Sequence, residues 1–269
     1  MMHLKMLVTD MDGTFLREDK SYDEKRFEKI LIELEKRGII FVVASGNQIF
    51  RLKEYFQNFS NRIIYIAENG AQVWIDNEML FSEKLARELV LNVSCAILEH
   101  PKMEGRKVLL SGEKGAYLLN SADEAYKKKM SRFYRQINYV EDFSKVDDEI
   151  VKITMNLQNE NLGEVEKFLN TIQGVRATTS GFQSIDVIKS GISKASRIKF
   201  LEDYFKISSK EIAAFGDNLN DKEMLMRVAY PFATENAVNA IKEIAREVTP
   251  SCEEQGVLTK IEELLKSNI

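Results

Sequence analysis

Asp10 and Asp12 stand two residues apart in Thr9-Asp10-Met11-Asp12-Gly13-Thr14, directly after the apolar run at residues 4–9. Gly13 lets the chain turn away, so both carboxylates can share one strand end. Held that close they repel each other unless a cation or a shared proton relieves them. On its own, such a segment reads first as an ordinary polar turn. A second acidic cluster, Gly216-Asp217-Asn218-Leu219-Asn220-Asp221, follows another apolar run at 212–215. Asp217 and Asp221 are four apart and face the same way if Asp221 opens a helix, where it could instead simply cap that helix. The chain has only two histidines, so three or four converging carboxylates make an all-oxygen site suited to a hard cation such as Mg²⁺. Lys194 stands where Gly191-Ile192-Ser193 gives way to a helix. A helix N-terminus disfavours a cation, so a lysine there either serves an anion or faces solvent. Ser45-Gly46 offers a hydroxyl and a backbone N–H beside a helix start, a common phosphate cradle.

The elements that must position these residues follow a strand–helix alternation. Strands are expected at residues 4–9, 39–44 and 62–67, separated by a helix that opens at the Ser21–Glu24 segment and stops at Gly38 and by a helix at 48–56. Ser21 and Glu24 have capping-box spacing, Phe27, Ile30, Leu31 and Leu34 recur at helical intervals, and Gly38 is a natural stop. The last third resumes with helices at 195–204, 222–228, 237–245 and 257–265 and strands at 212–215 and 230–233. Such order implies an α/β fold, a doubly wound parallel sheet with helices on both faces. Residues 83–186 read differently. Strand-like runs at 108–110 and 116–119 around Gly112 and Gly115, then helix, strand, helix and two more strands, indicate an inserted α+β unit. The expected division is therefore a core of 1–82 and 187–269 interrupted by 83–186. Four core strands end in Asp10-Met11-Asp12-Gly13, Ser45-Gly46-Asn47, Glu68-Asn69-Gly70 and Gly216-Asp217. In open parallel sheets ligands bind outside the carboxyl ends of the strands, so these clusters converge on one crevice if the strands are neighbours.

Composition removes several chemistries. The 269 residues carry 38 Lys+Arg against 42 Asp+Glu, a net charge of −4, which argues against a nucleic-acid partner. Two histidines (His3, His100) and two cysteines (Cys95, Cys252) rule out a histidine-rich zinc site, and no Ser-His-Asp signature is present. Neither a GxxxxGK loop nor a GxGxxG loop occurs. No apolar run approaches the roughly 18 residues of a membrane span, and Asp10 and Asp12 interrupt any leader-like start. A cytoplasmic protein, with no membrane association and no obligate protein partner, is expected. The lysine-arginine cluster at 127–135 reads as a solvated helix face, and Trp74, Met103 and both cysteines as packing. What the residues suit is phosphoryl transfer to a carboxylate.

Taken together, the motifs resemble the haloacid dehalogenase superfamily, and within it the Cof-type phosphatases. Asp10-Met11-Asp12-Gly13-Thr14 is similar to the family's DxDGT motif, Ser45 stands at the second motif, Lys194 at the third and Gly216–Asp221 at the GDxxND motif, in family order. The insertion falls where Cof-type proteins carry a cap. Thr-Asp-Met-Asp-Gly-Thr-Phe-Leu, Ser-Gly-Asn-Gln and Glu-Asn-Gly-Ala resemble the bacterial sugar-phosphatase branch. The resemblance implies that Asp10 is the nucleophile and Asp12 the acid and base. It implies Mg²⁺ held by Asp10, the Asp12 carbonyl and Asp217 with Asp221 in support, and a phosphoryl group held by Ser45, Gly46, Asn47, Lys194 and Asn220. Many relatives have Arg where Asn47 stands, AMGNA at 233–237 and Asn at Cys252. The substrate implied is a small phosphate monoester, a sugar phosphate above all. Phe182, Gln183 and Ser184, just before the insertion returns to the core, are candidate substrate contacts or an ordinary hairpin. Two rival readings share the inventory. One is a sugar phosphomutase. The other is a phospho-acceptor or sensor module, against which Asp12 and the insertion both weigh.

Overall fold

The apolar runs at the two ends of the chain assemble into one sheet. The computed structural model describes residues 3–103, 106–180 and 183–267. The first third supplies β1 (Met6–Thr9), β2 (Ile40–Ala44), β3 (Ile64–Ala67), β4 (Gln72–Ile75) and β5 (Glu78–Ser82). The middle supplies β6 (Val108–Gly112), β7 (Ala116–Leu119), β8 (Ile137–Val140), β9 (Ile150–Asn156), β10 (Val175–Ser180) and β11 (Ser184–Lys189). The last third adds β12 (Ile212–Gly216), β13 (Tyr230–Thr234) and β14 (Glu247–Thr249). The α-helices are α1 (Glu24–Lys36), α2 (Ile49–Tyr55), α3 (Arg87–Glu99), α4 (Glu124–Met130), α5 (Asn159–Leu169), α6 (Lys194–Phe205), α7 (Lys222–Arg227), α8 (Asn239–Lys242) and α9 (Gly256–Lys266).

The first sheet runs β14-β13-β12-β1-β2-β3-β4-β5. Its strands are parallel from β14 to β3. The parallel, doubly wound expectation holds for these six. It missed the antiparallel hairpin β4–β5, which extends the sheet across a turn where Asp76 and Asn77 both adopt positive φ. It also missed α3, β8 and the three-residue β14. Both faces of the sheet are covered, which explains the unbroken apolar strands. Leu7 packs on one face with Phe27, Leu31 and Leu258, whereas Met6 and Val8 pack on the other with Ile198, Leu201 and Met224. The Ser21–Glu24 capping box does not form. Asp23 caps α1 instead, its carboxylate accepting from the Arg26 N–H at 3.0 Å.

A second sheet, ordered β10-β11-β9-β6-β7-β8, draws every strand from residues 108–189. Its β11 runs three residues past the boundary expected from the sequence. One face packs on α3 and α5 through Val93, Ile97, Val165, Ile153 and Met155. Of the residues expected to be packing, Cys252 is buried but Cys95 is exposed beside Glu99. His100 is the C-cap residue of α3, directly before Pro101. Phe182 lies outside the described residues.

The segment after Asp10 is pinned by aromatic rings. Phe15 meets Tyr22 at 5.2 Å, Phe27 at 5.3 Å and Phe56 at 5.5 Å between centroids. Phe15 is fully buried, so Phe15→Ala is expected to lower unfolding free energy by about 3–5 kcal/mol in chemical denaturation. A loss below about 1 kcal/mol would contradict this role.

Candidate active site

β1 sits between β2 and β12, at the point where the strand order reverses, so the residues following these three strands meet. Asp10, Asp12, Ser45, Gly46, Asn47, Asp217 and Asn220 line one cavity of about 280 Å³. Lys194 and Asp221 lie buried beside it. The turn after Asp10 demands glycine. Gly13 has φ +83°, and a Cβ there would come within 2.5 Å of an Asp217 carboxylate oxygen. The Gly13 carbonyl is fixed by Asn236 Nδ2 at 2.7 Å and Thr234 Oγ1 at 3.2 Å.

Lys194 organises the acidic groups. It is the first residue of α6, with Ser193 as N-cap, and its ammonium is turned inward rather than to solvent. Nζ donates to Asp10 Oδ1 at 2.5 Å and Asp221 Oδ1 at 2.7 Å. Burial pulls the lysine down, but Asp10 and Asp221 outweigh it and hold the ammonium above its usual range. The other Asp221 oxygen accepts from the Asp217 N–H at 3.0 Å and the Asn218 N–H at 3.2 Å. Asp221 therefore folds the Gly216–Asp221 turn around itself and does not cap α7 with its side chain. Thr14 Oγ1 donates to Asp217 Oδ1 at 2.9 Å.

Asp10, Asp217 and Asp221 each present a carboxylate oxygen, all within 4.8 Å of one another. Three ionised carboxylates against the single Lys194 ammonium leave two negative charges, the complement of one divalent cation. Burial first, then Asp221 and Asp217, push the Asp10 carboxyl well above the usual carboxylate range against the pull of Lys194. Asp217 is pushed up to about 7, chiefly by burial and then by Asp221, against Thr14 and Lys194. All-oxygen donors with unrelieved negative charge fit Mg²⁺.

Asp12 is separate from that cluster. Its Oδ1 pairs with Lys20 at 2.5 Å, and its Oδ2 accepts from Asn47 Nδ2 at 2.6 Å. The group expected on the metal is the Asp12 carbonyl, and the carboxylate is turned instead to Lys20 and Asn47. Asn47, expected on the phosphoryl group, has its amide committed to Asp12. Ser45 Oγ accepts from the Asn47 N–H at 3.1 Å, and Asn220 Nδ2 reaches Asn69 Oδ1 at 3.4 Å. Several groups on the cavity were not foreseen. Lys152, Thr154, Asn156 and Asp186 come from β9 and β11, and Lys129, assigned to a solvated face, is half-buried on the cavity wall. The signal for the first three was present in IVKITMN, where polar residues alternate inside an apolar strand. Ser184 lines the same cavity, whereas Gln183 lines a neighbouring one.

Comparison with known proteins agrees with this geometry. Residues 7–261 match the haloacid dehalogenase-like hydrolase family, and the chain belongs to that family. It is 34% identical over 98% of its length, and 97% of the relative's, to the 5-amino-6-(5-phospho-D-ribitylamino)uracil phosphatase YbjI of Escherichia coli. A relative of the same description in Bacillus subtilis, YcsE, is 24% identical over 96% of this chain and 94% of its own. Among solved structures, SMU.1108c of Streptococcus mutans superposes with a TM-score of 0.93 at 33% identity, covering 98% of this chain and 99% of that one. Among the described residues no helix is long and apolar enough to cross a membrane.

A carboxyl that titrates near 7 when folded and near 4 when unfolded keeps its proton longer in the folded protein. Stability of the metal-free protein is therefore full below about pH 4 on this account and is lost as pH rises through about 7. A divalent cation binds the deprotonated groups and offsets that loss. Added Mg²⁺ should raise the thermal midpoint more at pH 8 than at pH 5, read by scanning calorimetry with chelator as control. An equal rise at both would contradict the carboxylate assignment.

Proposed function

We propose that this chain is a Mg²⁺-dependent phosphohydrolase that takes the phosphoryl group of a small phosphate monoester onto Asp10. The observation that carries the reading is the Lys194 ammonium shared between Asp10 and Asp221 beside Asp217, at the strand ends that line the cavity. Lys194 fixes one Asp10 oxygen and so aims the other at the substrate phosphorus. Asp10 Oδ2 forms the new P–O bond as the ester P–O bond breaks, and Asp12 gives its proton to the departing alkoxide. Asp12 then takes a proton from the water that attacks the aspartyl-phosphate, releasing phosphate and restoring Asp10. Because Lys20 and Asn47 hold both Asp12 oxygens, one of these donors exchanges for the leaving oxygen during turnover. Asp10 and Asp217, with the Asp12 carbonyl and with Asp221 behind them, would hold Mg²⁺, which offsets charge between nucleophile and phosphate. Ser45, the Gly46 N–H and Asn220 stand where they could hold phosphoryl oxygens, with Lys194 neutralising charge beneath them.

The sheet of residues 108–189, over the cavity, serves in this reading as a cap that excludes water and contacts the leaving group. Sugar phosphates and related polyol phosphates are the proposed substrates. The Escherichia coli and Bacillus subtilis relatives carry names that specify one phosphorylated polyol, a phosphoribitylaminouracil. Two free cysteines support a reducing compartment, and the cytoplasm is the proposed location.

Phosphate release from a panel of sugar and polyol phosphates should require Mg²⁺ and stop with chelator. Asp10→Asn should lower kcat more than about 10³-fold while the circular dichroism spectrum is kept. Full activity in Asp10→Asn would refute the assignment. An isomeric sugar phosphate with little free phosphate would indicate a mutase, and a lasting phosphoprotein without turnover a sensor.

A further inference from the structure

The loop that follows β2 is gripped from the second sheet by a buried lysine that the proposed chemistry leaves unused. Lys152 of β9 is 1% exposed and lines the cavity that holds Asp10. Its Nζ donates to the Gly46 carbonyl at 2.5 Å and pairs with Glu68 at 2.6 Å, with Asp186 at 3.7 Å. Burial pulls the lysine down, but Asp186 and Glu68 outweigh it and keep the ammonium charged. Those two carboxylates more than balance it, so Lys152 has no charge to spare for a phosphate. What it offers the site is its hold on Gly46.

The Gly46 carbonyl and the Asn47 N–H belong to one planar peptide. Lys152 takes the oxygen side of that plane, and Ser45 Oγ accepts from the N–H at 3.1 Å. A plane held at both edges is set against rotation, and the Cα of Asn47 is set with it. Glu68 completes the clamp. Its N–H donates to the Asn47 carbonyl at 3.2 Å, while its carboxylate faces Lys152 and accepts from Ser111 Oγ of β6 at 2.7 Å. To do both, Glu68 holds φ at +53°, with Asn69 at +55°, a left-handed conformation rare for residues other than glycine. From the clamped Asn47, Nδ2 reaches Asp12 Oδ2 at 2.6 Å. Lys20, at Asp12 Oδ1, is partly exposed.

We propose that Lys152 is a positioning residue for proton transfer: it fixes the Gly46–Asn47 peptide and, through the Asn47 amide, the orientation of the Asp12 carboxyl. Asn47 then keeps Oδ2 throughout, Lys20 is the donor that gives way, and the proton for the leaving oxygen sits on Asp12 Oδ1. Because Lys152 belongs to the second sheet, the acid is aimed when that sheet is seated on the loop. The assignment rests on the phosphohydrolase reading above and adds to it a residue that acts through another.

Phenyl phosphate and p-nitrophenyl phosphate have nearly the same shape, but the first depends far more on a proton reaching its leaving oxygen, since nitrophenolate is a stable anion. With Mg²⁺, Lys152→Met should lower kcat/KM for phenyl phosphate about thirtyfold and for p-nitrophenyl phosphate less than about threefold, so their ratio falls about tenfold. Asn47→Ala should lower the ratio by at least as much, and Lys152→Met/Asn47→Ala no further than Asn47→Ala alone. Removing the ammonium leaves Glu68 without its partner, so if Lys152→Met does not fold, the comparison is made in Lys152→Met/Glu68→Gln, which removes both charges of the pair. A ratio within twofold of wild type in the folded variant, equal losses on both substrates, or losses that multiply in Lys152→Met/Asn47→Ala would overturn the proposal. No release of phosphate from either substrate by the wild type would instead overturn the phosphohydrolase reading beneath it.

Discussion

A single buried ammonium holds this site together. Lys194 is separated from Asp10 by 184 residues, yet its Nζ touches both Asp10 and Asp221. Leaving either carboxylate without it would strand a charge in a region from which water is excluded, a cost of several kcal/mol. The pair therefore requires the start of the chain and its last third to close on each other across β1 and β12, with the second sheet extruded between them. The surplus negative charge that remains around Asp10 and Asp217 is the feature that suits the site to a divalent cation. Stability and proposed chemistry meet in the same few atoms.

The second sheet is tied to the first by another buried lysine. Lys152 reaches the carbonyl of Gly46 and the carboxylate of Glu68, and Ser111 Oγ donates to Glu68 Oε1 at 2.7 Å. Asn69 connects to both sides, giving a hydrogen bond to Asp186 of β11 and accepting one from Asn220 of the acidic turn. The polar residues after β2 and β3 thus do two things. They edge the cavity that holds Asp10, and they register the overlying sheet against it. In the proposed reading, a cap seated on the Ser45–Asn47 loop would couple substrate shape to the geometry of the reacting groups.

Much of this was legible in the sequence because the signals were local. The apolar runs around β1, β2, β3 and β12, each ending in a polar cluster beside glycine, specify parallel strands and a convergent edge. Asp10, Ser45 and Asp217 stand at the ends of those strands, and Lys194 meets Asp10 from the start of α6. What escaped was set by tertiary pairing. The β4–β5 hairpin turns on Asp76-Asn77, a pair whose left-handed conformation no glycine announced. Asp23, not Ser21, caps α1, and the Ser21 hydroxyl accepts from Arg17 instead. Asn47 looked like a phosphate ligand from its position, but only the fold reveals Asp12 within reach. Lys129 belongs to a run of lysines that any sequence argument sends to solvent, and only the packing of α4 over the cavity turns it inward.

The central claim is that Asp10 accepts the phosphoryl group. It is tested most directly by mixing the protein with excess substrate and Mg²⁺, quenching in acid within milliseconds and reducing with borohydride. Peptide mass spectrometry then locates any acyl-phosphate by its conversion to homoserine. The account predicts conversion at position 10 alone. Turnover at full rate with no conversion, or with conversion at Asp12 or Asp217 instead, would contradict it.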